Sequence, residues 1–217
     1  MSVVIIGGTG NLGFGIGYRL AMAGETVVIG SRQKEKADEA AVRMNEMTGN
    51  TNASGMANED AVKAGDIIFL TVPSSGRIPT LETIKPFMKG KTIVDCTVPL
   101  AFKPLRHESP AEGSNAEQTK AILGDDVTVT AGFHTVSAVV LSDPEKEVYG
   151  DTIILGETPE SRKPVMALAE KIGLHPYDGG LLLHARTLEG LTPLLISMGN
   201  RYKKKDLGVT ITGMENQ

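Results

Sequence analysis

Residues 3–13 read Val-Val-Ile-Ile-Gly-Gly-Thr-Gly-Asn-Leu-Gly, a short β-branched run followed at once by a glycine-rich turn. Gly8, Gly10 and Gly13 fit the pattern G-x-G-x-x-G, and a helical pattern begins at Leu12. In that setting the first glycine permits a tight turn, the second lets a pyrophosphate approach the backbone, and the third lets helix and strand pack closely. The helix start then offers unpaired N–H groups to phosphates. The stretch predicts a dinucleotide-binding βαβ unit; the alternative is a glycine-rich turn without a ligand.

The end of the second predicted strand indicates which dinucleotide is bound. NAD sites place an Asp or Glu there to bond the ribose hydroxyls, whereas this chain has Gly30-Ser31-Arg32, with Lys36 close behind. A hydroxyl, a guanidinium and an ammonium can hold a 2′-phosphate by charge-assisted hydrogen bonds. The alternative, solvated charges at the start of a helix, would be mildly unfavourable against the helix dipole. The pattern favours NADP over NAD.

Short apolar runs alternate with helical patterns along the first half of the chain. The runs are β-branched, unalternated and short, which is typical of strands buried on both faces of a parallel sheet. Strand–helix alternation of this kind predicts right-handed crossovers and an α/β fold, a doubly wound parallel sheet of Rossmann type. The predicted strands are Val3–Ile6, Val27–Ile29, Asp66–Val72, Thr92–Val98 and Val127–Phe133. We expect Asn58 to cap a short helix through Ala64.

The pattern changes after about residue 136, so we predict a nucleotide-binding domain over residues 1–136. Residues 137–217 would form a small, mostly helical C-terminal domain that completes a substrate cleft. We expect a strand at Thr152–Leu155, a turn at Tyr177–Gly180 and a last short strand at Gly208–Thr212, returning toward the first domain. A long apolar helix from Leu181 to about residue 200 contains Pro193, which predicts a kink.

Composition excludes several classes of function. The 217 residues carry 41% hydrophobic and 22% charged residues and a net charge of −4, which argues against disorder and against nucleic-acid binding. One cysteine, Cys96, excludes a disulfide framework, and the four histidines match no metal-ligand spacing. No apolar run is long enough to span a bilayer, and residues 1–6 enter the first strand at once, with no basic region or cleavage site. We therefore expect a cytoplasmic protein with no metal and no membrane contact.

The carboxyl ends of the other strands should meet the cofactor crevice. They include Thr71–Ser74, Thr97–Pro99 and the run His134-Thr135-Val136-Ser137-Ala138, whose small side chains leave room for a flat ring. His134 is a candidate general acid–base, although a wall residue that stacks or hydrogen-bonds is slightly preferred. Together with Val136 and Ser137 it is predicted to bind the substrate. Nothing resembles a Ser–His–Asp set, so no catalytic residue is assigned.

These motifs together make the chain similar to a known family. The segments that carry the likeness are Gly7–Gly13, Gly30-Ser31-Arg32, Thr97-Val98-Pro99, Gly113–Glu117, Leu191–Leu195 and Leu207–Thr212. Nearly end to end, the sequence resembles the NADPH-dependent coenzyme F420 reductases of archaea and some actinobacteria. Some members carry a bulky aromatic where this chain has Ser74, and a proline where it has Ser137.

The resemblance implies where the cofactor lies. Thr9, Gly10, Asn11 and Leu12 would cradle the pyrophosphate. Ser31, Arg32 and Lys36 would hold the 2′-phosphate, and Ser74, Val98 and Ala138 would line the nicotinamide side. Coenzyme F420, as co-substrate, would lie over the nicotinamide in the cleft to the small domain.

The implied reaction is direct hydride transfer between C4 of nicotinamide and C5 of the 8-hydroxy-5-deazaflavin, which needs no acid–base pair. Two other functions stay open: an NADPH-dependent reductase of a small imine, ketone or flavin, and an NADP(H)-binding module without turnover. The family also implies a homodimer, and the long apolar helix fits one because its exposed surface needs cover.

Overall fold

The computed structural model describes residues 2–214, so Met1 and residues 215–217 of the predicted domains lie outside it. Its centre is a sheet of eight strands with helices on both faces. The strands of this sheet are β1 Ser2–Ile6, β2 Thr26–Ser31, β3 Ala53–Ala57, β4 Ile67–Leu70, β5 Thr92–Asp95, β8 Thr128–Ala131, β9 Asp151–Gly156 and β10 His175–Gly180. Two further strands, β6 Leu100–Ala101 and β7 Arg106–His107, form an antiparallel hairpin between β5 and β8 in the chain.

Eight α-helices connect or follow the strands in the described part of the chain. They are α1 Asn11–Met22, α2 Lys34–Thr48, α3 Asn58–Lys63, α4 Ser74–Ile84, α5 Asn115–Leu123, α6 Ala138–Ser142, α7 Pro159–Lys171 and α8 Ala185–Tyr202. Short 3₁₀ turns lie at Lys85–Phe87 and Leu182–His184.

The strand order is β10-β9-β8-β5-β4-β1-β2-β3, with every neighbour parallel except β8 and β9. β1 lies between β2 and β4, so the direction of winding reverses beside it. Ligands of such sheets bind at this reversal, outside the carboxyl ends of the strands. The predicted Rossmann-type doubly wound sheet and the helical C-terminal region are confirmed.

Successive residues of the central strands face opposite layers, as the pleat requires. Val3 and Ile5 pack with α1, α2 and α7 on one face, whereas Val4 and Ile6 pack with α3, α4, α5 and α8 on the other. All four side chains are buried, which explains why the run is apolar throughout instead of alternating.

Three local predictions were wrong, and three predicted strands are shorter than expected. Tyr177–Gly180 is the end of strand β10 rather than a turn, because it pairs with β9. Gly208–Thr212 is not a strand; it is held by single hydrogen bonds to Asp151, which donates its N–H to the carbonyl of Val209. Asn58 is the first residue of α3 and does not cap it.

The strands predicted at residues 66–72, 92–98 and 127–133 each stop two or three residues earlier, since they bend into the cleft.

The sequence patterns also missed several elements: β3, the hairpin, α4 and α5. β3 carries Ser54 and Gly55 in place of a continuous apolar run, because it is an edge strand. The predicted long apolar helix is present as α8. Pro193 is buried and lies inside this helix, which continues without a break.

Candidate dinucleotide and acceptor cleft

A cleft of about 1330 Å³ opens at the carboxyl ends of β1, β2, β4, β5 and β8. Clefts that hold one drug-sized ligand usually enclose about 300–1,000 Å³, so this one has room for two. Its lining includes Thr9, Gly10, Asn11, Leu12, Ser31, Arg32, Lys36, Ser74, Val98, His134, Val136 and Ala138. The structure therefore brings together all the predicted site residues except Gly8 and Ser137.

The glycine loop forms one end of the cleft through its backbone. Gly10 is the N-cap of α1 and offers no side chain to the first N–H groups, and no acidic residue lies in the first turn. A Cβ on Gly10 would meet only the carbonyl oxygen of Gly7, at 3.4 Å, so that flank is open. The uncapped helix start and its dipole thus fit a bound pyrophosphate.

The other two glycines of the motif are needed for packing. A Cβ on Gly8 would lie 2.9 Å from the side chain of Ile29 on β2, which explains why Gly8 is absent from the lining. A Cβ on Gly13 would collide with Thr71 Oγ1 and lie 2.8 Å from the carbonyl oxygen of Gly7. Gly8 and Gly13 therefore act on a ligand only indirectly, by letting the loop and α1 sit close to the sheet.

The basic residues after β2 differ in whether they are already paired. Lys34 forms an ion pair with Asp38 at 2.6 Å. Within residues 2–214 no ion pair or hydrogen bond joins the exposed side chains of Arg32 and Lys36 to another residue. The Ser31 hydroxyl accepts from the Gln33 N–H at 3.2 Å and lies beside them. Two unpaired cations and a hydroxyl at the cleft suit a phosphate monoester.

The ends of β4 and β5 meet at the middle of the cleft. Ser74, the first residue of α4, donates its hydroxyl to the carbonyl oxygen of Val98 at 2.6 Å. Thr71 donates its hydroxyl to the carbonyl oxygen of Ile6 at 3.0 Å. These bonds fix three strand ends against one another and leave small side chains toward the cavity.

His134 lies in the far wall, on the segment that follows β8. It is 4% exposed, and both of its ring nitrogens are buried. Burial lowers the pKa of His134 to about 4, an effect that the nearby Asp95 carboxylate only partly offsets. The imidazole is therefore neutral at pH 7, and with so low a pKa it is only a weak proton acceptor.

The same segment is tied down on both sides. Thr192 on α8 donates its hydroxyl to the carbonyl oxygen of His134 at 2.8 Å. Buried Arg19 on α1 donates to the carbonyl oxygens of Val140 at 3.1 Å and Leu141 at 3.0 Å, at the end of α6. Ala138, the first residue of α6, is thereby held at the cleft.

Ser137 does not line the cleft. Its hydroxyl accepts from the Val140 N–H at 3.3 Å, which caps α6, and donates to the carbonyl oxygen of Lys205 at 3.0 Å. Because the hydroxyl holds the chain in this way and Ser137 is absent from the lining, the structure gives no support to its predicted direct contact with the substrate.

A buried polar network lies behind the wall. The Asp95 carboxylate accepts from the Thr97 N–H at 2.8 Å, the Thr97 hydroxyl at 2.6 Å and the Thr119 hydroxyl at 2.7 Å. Its cationic partner is Arg77, 3.8 Å away, and both side chains are almost fully buried. Asn115 donates its amide to Thr97 at 2.8 Å. The network fixes Thr97, and so the start of the Val98 wall.

Glu189 joins this network to the hairpin. Its carboxyl group accepts from the N–H groups of Asn115 at 2.9 Å and Ala116 at 3.1 Å, at the start of α5. Its Oε2 also lies 3.6 Å from His107 Nε2 on β7. Burial raises the pKa of Glu189 to about 8, so the group is mostly protonated at pH 7.

Several lining residues were missed by sequence reasoning. They are Leu100, Phe102, Thr192 and Ile196, among others. Thr192 belongs to the Leu191–Leu195 motif, so helical spacing on α8 could have pointed to it. Leu100 and Phe102 carry no such signal because the hairpin is too short to give a periodic pattern.

Two absences concern the part of the chain that the structure describes. No group of three or more His, Cys, Asp or Glu side chains in residues 2–214 could hold a metal ion. Over the same residues, no helix combines the length and the apolar character needed to cross a bilayer.

Comparison with known proteins gives a consistent result. The family model for coenzyme F420-dependent NADP oxidoreductases matches residues 2–99. The F420-dependent NADP reductase of Methanocaldococcus jannaschii is 38% identical, over 99% of this chain and 100% of that protein. The reductase of the same name from Methanothermobacter thermautotrophicus is 36% identical, over 100% of this chain and 97% of its own.

A solved structure shows the same fold. The crystal structure of an Arthrobacter sp. FB24 protein, assigned as an F420-dependent NADP reductase, superposes with a TM-score of 0.81. The alignment covers 97% of this chain and 98% of the other at 21% identity.

Proposed function

The chain belongs to the F420-dependent NADP reductases, which transfer a hydride between NADP(H) and coenzyme F420, and we propose that the two ends of the cleft divide this task. The glycine loop and the basic end of β2 hold NADP(H), and the far wall holds the deazaflavin. The observation that carries the proposal is one cavity of about 1330 Å³ that runs from unpaired Arg32 and Lys36 to the apolar far wall.

The nucleotide end binds through charge and through the backbone. The N–H groups at the start of α1 meet the pyrophosphate near Thr9, Gly10, Asn11 and Leu12. Arg32, Lys36 and the Ser31 hydroxyl meet the 2′-phosphate, which NADH lacks. No carboxylate at the end of β2 repels that phosphate, so the end of β2 selects NADP(H) over NAD(H).

The far end positions rings and excludes water. Small residues at 74, 98 and 138 leave a flat space, and His134 and Val136 close it from behind. Bound together, the two coenzymes would supply the redox chemistry, a hydride passing between C4 of the nicotinamide and C5 of the deazaflavin, with one solvent proton completing F420H2. The protein therefore contributes proximity and orientation rather than an acid–base pair.

Three further features belong to the proposal. Residues 1–136 act as the nucleotide-binding domain, while residues 137–217 complete the substrate side, since Ala138, Thr192 and Ile196 line the cleft. A homodimer forms through α8, where Leu194 and Met198 are exposed. Cytoplasmic placement fits a single, buried cysteine that needs no disulfide partner.

The function is tested by mixing the protein with oxidised F420 and NADPH and following loss of the deazaflavin's visible band, then repeating with NADH. We expect fast bleaching with NADPH and little with NADH. Bleaching with both would remove the role given to Ser31 and Arg32. NADPH oxidation by a small imine, ketone or flavin without F420 would favour the alternative reductase, and binding without any oxidation would favour a non-catalytic module.

The dimer is tested by light scattering of the wild type and of Leu194→Glu. We expect twice the chain mass for the wild type and the chain mass for the variant. A monomeric wild type would overturn this part of the proposal.

A further inference from the structure

The cleft contains an exposed aromatic side chain that has no role in the function described so far. Phe102 lines the cleft and is 72% exposed. The other aromatic in the lining, Phe133, is 1% exposed and packs edge-on against Phe69 at 5.4 Å. Burying a phenylalanine side chain contributes about 1.5–3 kcal/mol, so a ligand that covered the exposed ring would gain part of this free energy.

The hairpin holds Phe102 in place although its ring is free. Phe102 follows β6 directly, and Leu100 and Ala101 pair with His107 and Arg106 on β7. At the base of the hairpin the Glu108 N–H donates to the carbonyl oxygen of Pro99 at 2.9 Å. His107 lies 3.6 Å from buried Glu189, which is bonded to the start of α5.

The backbone at the tip of the hairpin supports a functional role. Lys103, next to Phe102, has a φ of +71°, a left-handed conformation in a residue other than glycine. Such strain persists only where the surroundings hold it, and it concentrates at ligand-binding sites.

The position of Phe102 relative to the cofactor favours a planar ligand. Val98, four residues earlier, accepts the Ser74 hydroxyl and lies in the wall assigned to the nicotinamide. Leu100 and Ile196 lie in the same lining and offer apolar surface around Phe102. An exposed ring beside a slot with small walls suits a flat aromatic ligand that enters over the nicotinamide.

We propose that Phe102 is a substrate-binding residue that stacks on the deazaflavin ring of coenzyme F420. This proposal rests on the function proposed above. The hairpin then contacts the acceptor, while the glycine loop contacts NADP(H). Phe102 discriminates by ring contact, so it favours a planar tricyclic acceptor over a small imine or ketone.

The test measures dissociation constants for oxidised F420 by equilibrium dialysis with the wild type, Phe102→Leu and Phe102→Tyr. Loss of a stacking partner costs about 0.5–1.5 kcal/mol, which corresponds to a 2- to 12-fold weaker affinity. We expect that loss in Phe102→Leu, near wild-type affinity in Phe102→Tyr, and unchanged KM for NADPH in both. Tyr202→Leu removes another exposed aromatic, outside the cleft, and should change nothing.

Binding of a deazaflavin that lacks the charged side chain shows which part of coenzyme F420 contacts Phe102. If Phe102 meets the ring, Phe102→Leu weakens the short and the full-length compounds by the same factor. Weakening of the full-length compound alone would overturn the stacking role, as would equal affinities of wild type and Phe102→Leu. A change in oligomeric state that accompanies the weakening would also overturn it, because Phe102 would then be an interface residue.

The two proposals fail separately. A wild type that never bleaches F420 with NADPH contradicts the proposed function, whatever Phe102 does. A wild type that bleaches F420 with the same dissociation constant as Phe102→Leu contradicts only this inference. Folding of each variant is checked by thermal unfolding, which we expect to be unchanged since the ring is mostly exposed.

Discussion

The two ends of the cleft are built in different ways. The nucleotide end comes from two short stretches, residues 7–13 and 31–36, and acts through backbone N–H groups and unpaired cations. The acceptor end comes from four distant segments, near residues 72, 98, 134 and 194, which meet only in the folded chain. A buried network centred on Asp95 and Arg77 fixes the second end.

Substitutions at the two ends should therefore have different effects on ligand affinity and on stability. Damage to a loop that binds through its own backbone should change affinity for one ligand. Damage to the network should change stability and the acceptor side together, because several segments share the same buried groups. Four substitutions separate these two kinds of damage.

Arg77→Met should have the largest effect. It leaves Asp95 buried without its cation, and breaking a buried pair from one side costs about 3–5 kcal/mol. Urea unfolding measures the loss. Lys89→Met, which breaks an exposed pair with Asp126 at 3.1 Å, is the control and should cost at most about 1 kcal/mol. Similar losses in both variants would contradict the assigned importance of the buried network.

His134→Gln should remove part of the acid sensitivity of the fold. The folded-state pKa of about 4 lies below the ordinary 6.5, so the unfolded chain binds the extra proton between these values. Stability from neutral His134 is fully present above pH 6.5 and is lost as pH falls toward 4, by about 3 kcal/mol in all. Unfolding curves at pH 7 and pH 4.5 should differ less in the variant. Exposed His184→Gln should keep the wild-type difference.

Gly13→Ala should break the nucleotide end. The added methyl group would meet the Gly7 carbonyl and Thr71, neither of which can move freely, at a cost of about 1–3 kcal/mol. We expect weaker NADPH binding by calorimetry and a lower unfolding temperature. Gly190→Ala on α8 is the matched control: nothing lies within 4 Å of the new methyl group, so it should be neutral or stabilising.

Arg32→Gln should have the smallest effect and the sharpest selectivity. Loss of one exposed charge at the 2′-phosphate should raise KM for NADPH about tenfold, or about 1.4 kcal/mol, and leave KM for NADH unchanged. Lys34→Gln is the control, since Lys34 already pairs with Asp38. Equal effects of both substitutions on KM for NADPH would mean that net charge, rather than a specific contact, decides the preference.

Sequence reasoning succeeded where the signal was local. The glycine spacing and the absence of an acid after β2 each lie within one turn and its neighbours, so residues a few positions apart decide the geometry. The alternation of buried strands and helices predicted the doubly wound sheet for the same reason. Sequence reasoning failed at β3, the hairpin and the residues after 175. There the conformation is decided by pairing with another strand and not by the local conformational propensity of the residues.

Within the site, local sequence patterns located the glycine loop, the basic residues after β2 and the segments that end at the cleft. Only the tertiary structure decided that His134 is neutral, that Ser137 caps a helix, that Asp95 pairs with Arg77 and that Phe102 reaches the cleft. Hydrogen bonds inside a turn depend on neighbours in the chain. Burial, pKa and ion pairing depend on what distant segments place around a group, as Glu189 does for the start of α5 from 74 residues away.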